Sequence, residues 1–584
     1  MRFFGFTTAT LLLACSYTGA AQAADQNGYT AQYECRAGSA HCNVDVAALS
    51  RRACNQTIAP SAPWSSINWS NSTICIEAGD HTWKGTLTIP SNASGSSGNY
   101  KVLRYTGSDD ATDASPWNQQ NRARLQRIAV DGADFWLIDR LTLPTTTGSQ
   151  EDRIFVSAVS QGTSGDVRNM IFNRLLIEGS GNSGVPYSGF RMNCDYTLNF
   201  NSITLQNSVI RSFHGAPNTA PLAVSLQCGD NIRAVNNEIY DWSEHVLQAG
   251  HNGAPTMRGL VIENNDFYFT PAIYSPDGRA KGENLVALKL SGTADSPARV
   301  IQNRFWGARD TDTGACCIGG GGGGGLIVNG RTDGGNRYIL IQNNTLFDSQ
   351  HGLSWINGNN QQGSIIGNLI YDIRVHYSPT WWSHAMNLED VSNAEVYLNT
   401  IVNASTFTIS GIYNDGNDIR CNAIINSGRR EDGGNPPGGS QADHNAFYGS
   451  SLISFNASNT NVQRGMDMRT GNRGYNAGDV VRFADASQCT LNNTAGCFLY
   501  KATQAGTSDP SSTPSACTDL GCSFNDGSVI WQAVRGPHYF WRKLRTTPER
   551  MIVPYAKPHV TAQEAYSCPQ NFASRQGIGI DNSL

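Results

Sequence analysis

The chain has 584 residues, a formal net charge of −5, 15% charged residues and 39% hydrophobic ones. That balance excludes a disordered chain and any global basic field for nucleic acid or an anionic membrane, so an acidic partner has to be met by local cations. With 60 glycines, the composition is that of a turn-rich protein.

The first residues read as an export signal: Arg2, an apolar run from Phe3 to Ala14, and small residues ending in Ala21-Gln22-Ala23 before Ala24-Asp25. Cleavage after Ala23 (segment 1–23) predicts a secreted or periplasmic protein. Leu12-Leu13-Ala14-Cys15 also has the form of a bacterial lipoprotein box, which would lipidate Cys15 and give an outer-membrane lipoprotein. No later stretch reaches the roughly 18 unbroken apolar residues that a bilayer crossing needs. Beyond Cys15 there are fourteen cysteines, an even number that in an exported chain argues for disulfides. Cys35, Cys42, Cys54 and Cys75 form one neighbouring group and Cys489, Cys497, Cys517 and Cys522 a second, with connectivity open. Zinc competes poorly, because only His41 lies near a cysteine pair and C-x-x-C pairs are absent.

Residues 24–72 are expected to form a disulfide-bearing cap over the first rung of a repeat that fills the middle of the chain. From Thr73 to Pro90, TICIEAGDHTWKGTLTIP alternates as strands do. Ten asparagines then recur in an apolar frame: Asn173, Asn207, Asn236, Asn264, Asn303, Asn343, Asn368, Asn399, Asn422 and Asn445, at steps of 34, 29, 28, 39, 40, 25, 31, 23 and 23 residues. A coil of 23 residues is too short for the usual helical repeats, which need about 33 or more. Short strands must stack in parallel instead. Asparagine suits the turns, since its amide tolerates the left-handed region and can bond its copy on the next rung. The predicted fold is all-β: a right-handed parallel β-helix of about ten or more coils over 73–463.

After that the pattern changes. Residues 464–535 are rich in Ser, Thr, Gly and Asp and predict a small β-rich module; residues 536–584 are expected to close the solenoid. The segments YNAGDVVRF, FLYKATQAGTSDP and GSVIWQAV resemble chitinase-associated sugar-binding modules, with Tyr475, Gly478, Asp479, Tyr500 and Trp531 at the matching positions. A purely structural module fits them equally.

The two longest steps, 39 and 40 residues, are adjacent, so their surplus must leave the coil as loops, TPAIYSPDGRAKGEN and ARDTDTGACCIGGGGGGG. The seven glycines Gly319 to Gly325 make the second a candidate flap or a surface insertion. In ENLVALKLSG, alternation puts Val286, Leu288 and Leu290 inside and Leu285, Ala287 and Lys289 outside. In GLIVNGRTDGG, Leu326 and Val328 fill the interior and leave Asn329 and Arg331 outward. Only seven lysines accompany 35 arginines, so a lysine within a strand is not routine surface filling. Cutting a uronic-acid polymer by β-elimination requires neutralising the C5 carboxylate, removing the C5 proton and protonating the leaving oxygen. A lysine flanked by cations can supply the base.

Lys289 and Arg331, on successive rungs, resemble the lysine and arginine of β-helix polysaccharide lyases of the chondroitinase B and alginate lyase kind. That resemblance implies Lys289 as base and Arg331 beside it, with Ca2+ held by acidic residues before the lysine, for which Glu283 is the candidate. The chain departs from the pattern in having no E-x-E pair and Thr332 rather than histidine after Arg331. His251 is a candidate proton-transfer group, and His245, Asn329, His351, Trp355, Tyr377, Trp381 and Trp382 are candidate substrate contacts, the aromatic ones as stacking surfaces for sugars. The expected partner is an acidic polysaccharide met by a monomer. A hydrolase would need two facing carboxylates from Glu244, Glu283, Glu389 and Asp390, and a non-catalytic glycan-binding adhesin is the third reading.

Overall fold

The computed structural model describes residues 44–107, 122–145, 152–157, 166–179, 188–192, 200–213, 222–242, 245–251, 256–270, 284–309, 323–329, 335–356, 360–374, 383–389, 391–404, 407–410, 417–420, 422–425, 441–443, 446–448, 462–464 and much of 469–535. Three long sheets, every strand parallel to its neighbours, make the walls of a right-handed parallel β-helix. Sheet A has 14 strands from Gln56–Ile58 to Gln441–Asp443. Sheet B has 14, from Gly79–Asp80 to Val462–Arg464, and sheet C has 11, from Thr86–Pro90 to Phe407–Ser410. The alternation that predicts strands also fills the tube. On sheet C, Leu247, Val286, Leu326, Leu353 and Met386 stack in register and are all fully buried. Such like-on-like stacking removes apolar surface from water at each rung, at about 25 cal/mol per Å².

The asparagine repeat resolves into two adjacent columns at the turn from sheet A to sheet B. Asn237, Asn265, Asn303, Asn344, Asn368, Asn399 and Asn422 are buried. Each Oδ1 from Asn265 onward accepts the backbone N–H and the Nδ2–H of the asparagine below at 2.9 to 3.0 Å. One residue earlier lies the left-handed column, with φ of 51° at Asn207, 62° at Asn236, 54° at Asn264 and 56° at Asn343. The single series of ten therefore draws on both columns, and Asn173 belongs to neither: it stands one place before the left-handed column, at the end of its sheet A strand. Asn445 lies outside the described residues.

The solenoid begins earlier than Thr73. Gln56–Ile58, within the segment expected to be a cap, pairs in parallel with Thr73–Ile76. The helix Val46–Ser50, capped by Asp45, lays Val46 and Leu49 on Val102, Leu137 and Ile171 of the outer side of sheet A. A disulfide joins Cys54 to Cys75, two of the grouped N-terminal cysteines, and Cys522 of the second group is also disulfide-bonded. Fully buried Asp139 accepts from Arg140 and Arg174, and Arg140 in turn donates to Ser50 O, tying the helix to the coils. Beyond the solenoid, Val480–Val481, Phe498–Gln504, Val529–Arg535 and Ser523–Asp526 form an antiparallel sheet. Tyr475, Tyr500 and Trp531 are its core, so the aromatic residues behind the sugar-module resemblance offer no stacking surface. Gly478 lies outside the described residues, and Asp479 accepts from Asn476 N within a turn. Among the described residues no helix is long and apolar enough to cross a membrane.

Candidate functional site

Lys289 ends the sheet C strand Asn284–Lys289. With Val286 and Leu288 fixed in the interior, its side chain projects from the outer face, half-buried. Among the described residues it has no hydrogen-bond or ion-pair partner. Register places Gly250 beneath it, and the pairing of Leu288 with Val328 sets Asn329 level with it on the rung above. Gly250 has φ 78°, and a Cβ there would lie 2.1 Å from the Lys289 carbonyl oxygen. Only glycine fits, and the rung below Lys289 therefore presents no side chain to fill the space beside the ammonium. His251 follows directly, half-buried.

The remaining candidates do not gather there. His245, Asn284, Gly324, His351 and His384 form a column at the start of the sheet C strands. Five residues at about 3.3 Å each separate that column from Lys289, roughly 16 Å along the strand, so His245 and His351 stand at the opposite edge of the sheet. His245 is also buried. The two long connections enter sheet C at Asn284 and Gly324, on the histidine side. The rings of His351 and His384 are 5.2 Å apart, and burial together with His384 pushes the His351 imidazole down to about 3. It stays neutral near pH 7.

Two side chains lie elsewhere than expected. Trp355, expected as a sugar contact, is fully buried in the tube, because it shares the face of Leu353. Its ring crosses to Gly363, where an added Cβ would lie 1.7 Å from the ring edge. Leu285, expected outside with Lys289, belongs to the core. It sits at the corner between sheets B and C; at the equivalent Gly325 a Cβ would meet Leu346 and Phe305 of sheet B. Ala287 keeps its outward place in a column running Ser225, Gln248, Ala287, Ile327, Ser354 and Asn387.

Arg331, Glu283, Tyr377, Trp381 and Trp382 lie outside the described residues, as do Glu244 and Asp390. Among the described residues no group of three acidic, histidine or cysteine side chains could hold a metal ion. The described donors thus do not make a calcium site, and no step is routed through one.

No protein-family model and no curated protein matches the sequence. Among solved structures, the chain is similar to a mannuronic acid specific polysaccharide family 6 lyase from human gut microbiota, at 14% identity over 70% of this chain and 91% of that one, TM-score 0.41. It is also similar to the A-module of the mannuronan C-5 epimerase AlgE4 of Azotobacter vinelandii (12%, 66% and 88%, TM-score 0.35). A third is PfbA, a surface adhesin of Streptococcus pneumoniae (11%, 62% and 85%, TM-score 0.30). At these identities and TM-scores the likenesses assign no activity to this chain.

Proposed function

We propose that the protein is an exported enzyme that cleaves a uronic-acid-containing polysaccharide by β-elimination, with Lys289 as the base. The observation that carries this reading is the position of Lys289: a half-buried lysine on the outer sheet C face, without a partner among the described residues, beside a bare glycine rung and level with Asn329. Lys289 Nζ takes the C5 proton, the C5–H electrons form the C4–C5 double bond, and the C4–O bond breaks. His251 protonates the departing oxygen. Arg331, assigned from sequence, pairs with the carboxylate and stabilises the charge that develops on it. Asn329 contacts the substrate on the rung above.

The test is incubation with alginate, glycosaminoglycans, pectate and a neutral glucan. An unsaturated product absorbing in the ultraviolet, from an acidic polymer only, supports elimination. New reducing ends without that absorbance contradict it in favour of hydrolysis. Exchange of the C5 hydrogen with solvent deuterium in an uncut polymer would keep the proton abstraction and overturn the cleavage.

A further inference from the structure

The outward column of sheet C that passes Lys289 continues toward the N-terminal coils, where its character changes from small and polar to cationic. Phe155 pairs with Arg191, and Arg191 with Ser225, which leads through Gln248 to Ala287. Arg127 is two residues before Ala129, the register partner of Phe155, and so is also outward. All three side chains are half-buried. Arg127 donates through Nε to Asp152 O at 3.0 Å, and its guanidinium lies 5.5 Å from the centre of the Phe155 ring. Arg191 forms an ion pair with Asp152 at 3.6 Å, with side-chain exposures of 35% and 6%, a separation longer than a hydrogen bond. Its Nε is buried and has no hydrogen-bond partner among the described residues. Asp152 meanwhile accepts from Ser188 N at 2.7 Å.

Among the described residues, the charged groups at this patch are Arg127, Arg153 and Arg191 with Asp131 and Asp152. Arg153 is buried and donates to Gln126 O, while Arg127 and Arg191 are half-buried and reach the outer face. We propose that Arg191 and Arg127, with Phe155 between their rungs, form a distal subsite for a carboxylated sugar unit of the same chain that reaches Lys289. The proposal rests on the polysaccharide reading above and deepens it. From Arg191 to Ala287 is three rungs, about 14 Å at 4.8 Å per rung, so a polymer lying along the stack would reach this patch several sugar units from the reacting bond. The guanidiniums suit carboxylates, and the Phe155 edge suits the apolar C–H surface of a ring.

The test uses the full chain carrying Lys289→Ala, so that binding is read without cleavage. Affinity for polymeric alginate and for an alginate trimer is measured by calorimetry at several salt concentrations, with circular dichroism as the folding control. Adding Arg191→Gln should weaken polymer binding about tenfold, the loss of one charge-assisted contact, and flatten its salt dependence, while trimer binding is unchanged. Phe155→Ala should weaken polymer binding at unchanged salt dependence, and serves if the arginine variant fails to fold. Unchanged polymer affinity in both variants, or no binding of any acidic polymer, overturns the subsite. If the native protein binds polymer through Arg191 yet cuts nothing, the lyase reading fails and the subsite stands.

Discussion

At the scale of single residues, the placement of Lys289 depends on a backbone contact as much as on its own strand. Gly250 lets the chain pass within Cβ-clash distance of the Lys289 carbonyl at a positive φ. Gly250→Ala should therefore cost about 1–3 kcal/mol and lower activity by shifting the strand that carries Lys289; urea unfolding and rate measurements read the two effects. His351 makes a different prediction. Its folded pKa, about 3, lies below the ordinary histidine value of 6.5. Folding thus disfavours the charged ring, and the chain loses stability as pH falls from about 6.5 toward 3, by up to about 1.4 kcal/mol per pH unit from this group. Comparing urea midpoints at about pH 7 and about pH 4, His351→Gln should show a smaller drop than the native chain. An equal drop would sink this assignment. Residue directions were legible where a strand alternates cleanly: Lys289 follows from Val286 and Leu288, and Trp355 was equally readable from Leu353 two places before it. The corner position of Leu285 was not legible, because a bend between sheets breaks the period of two.

At the scale of the element, the turn between sheets A and B is held by amides rather than by apolar packing. Asn303 accepts from Asn265 N and Nδ2 and donates to Ile262 O and Asn344 Oδ1, all at 2.9 to 3.0 Å and all buried. Asn303→Ala strands these groups without water, at a cost of about 2–4 kcal/mol, to be seen as a lower thermal midpoint by circular dichroism. Gly363→Ala should destabilise by about 1–3 kcal/mol, since the rigid Trp355 ring fills the place of the new Cβ. The combination with Trp355→Leu should recover part of that loss; no recovery would contradict the packing. The sequence displays the period of this element but blurs its phase. Doublets such as Asn236-Asn237, Asn264-Asn265 and Asn343-Asn344 occupy both columns, and a count that takes one asparagine per rung slips between them.

At the scale of the whole molecule, a solenoid spreads its stability along the stack, so each rung answers mainly to its neighbours. An outward substitution on sheet C should leave the tube intact. The wall architecture was legible because a coil as short as 23 residues admits no helix. The candidate site was only half legible. Spacing assigns residues to rungs but not to edges of a sheet, and His245 and His351 share rungs with the Lys289 region while standing across the strand from it. The cations Arg127 and Arg191 were not singled out by spacing because they lie on coils before the long steps, although Phe190-Arg191-Met192 shows the same apolar, charged, apolar alternation that marks Lys289. The most direct measurement compares the native chain with Lys289→Ala on the acidic polymer it cuts, tracking the ultraviolet absorbance of the unsaturated product. Loss of the base predicts a rate lower by about a thousandfold, with thermal stability unchanged within about 0.5 kcal/mol. Elimination at the native rate in that variant would contradict the assignment.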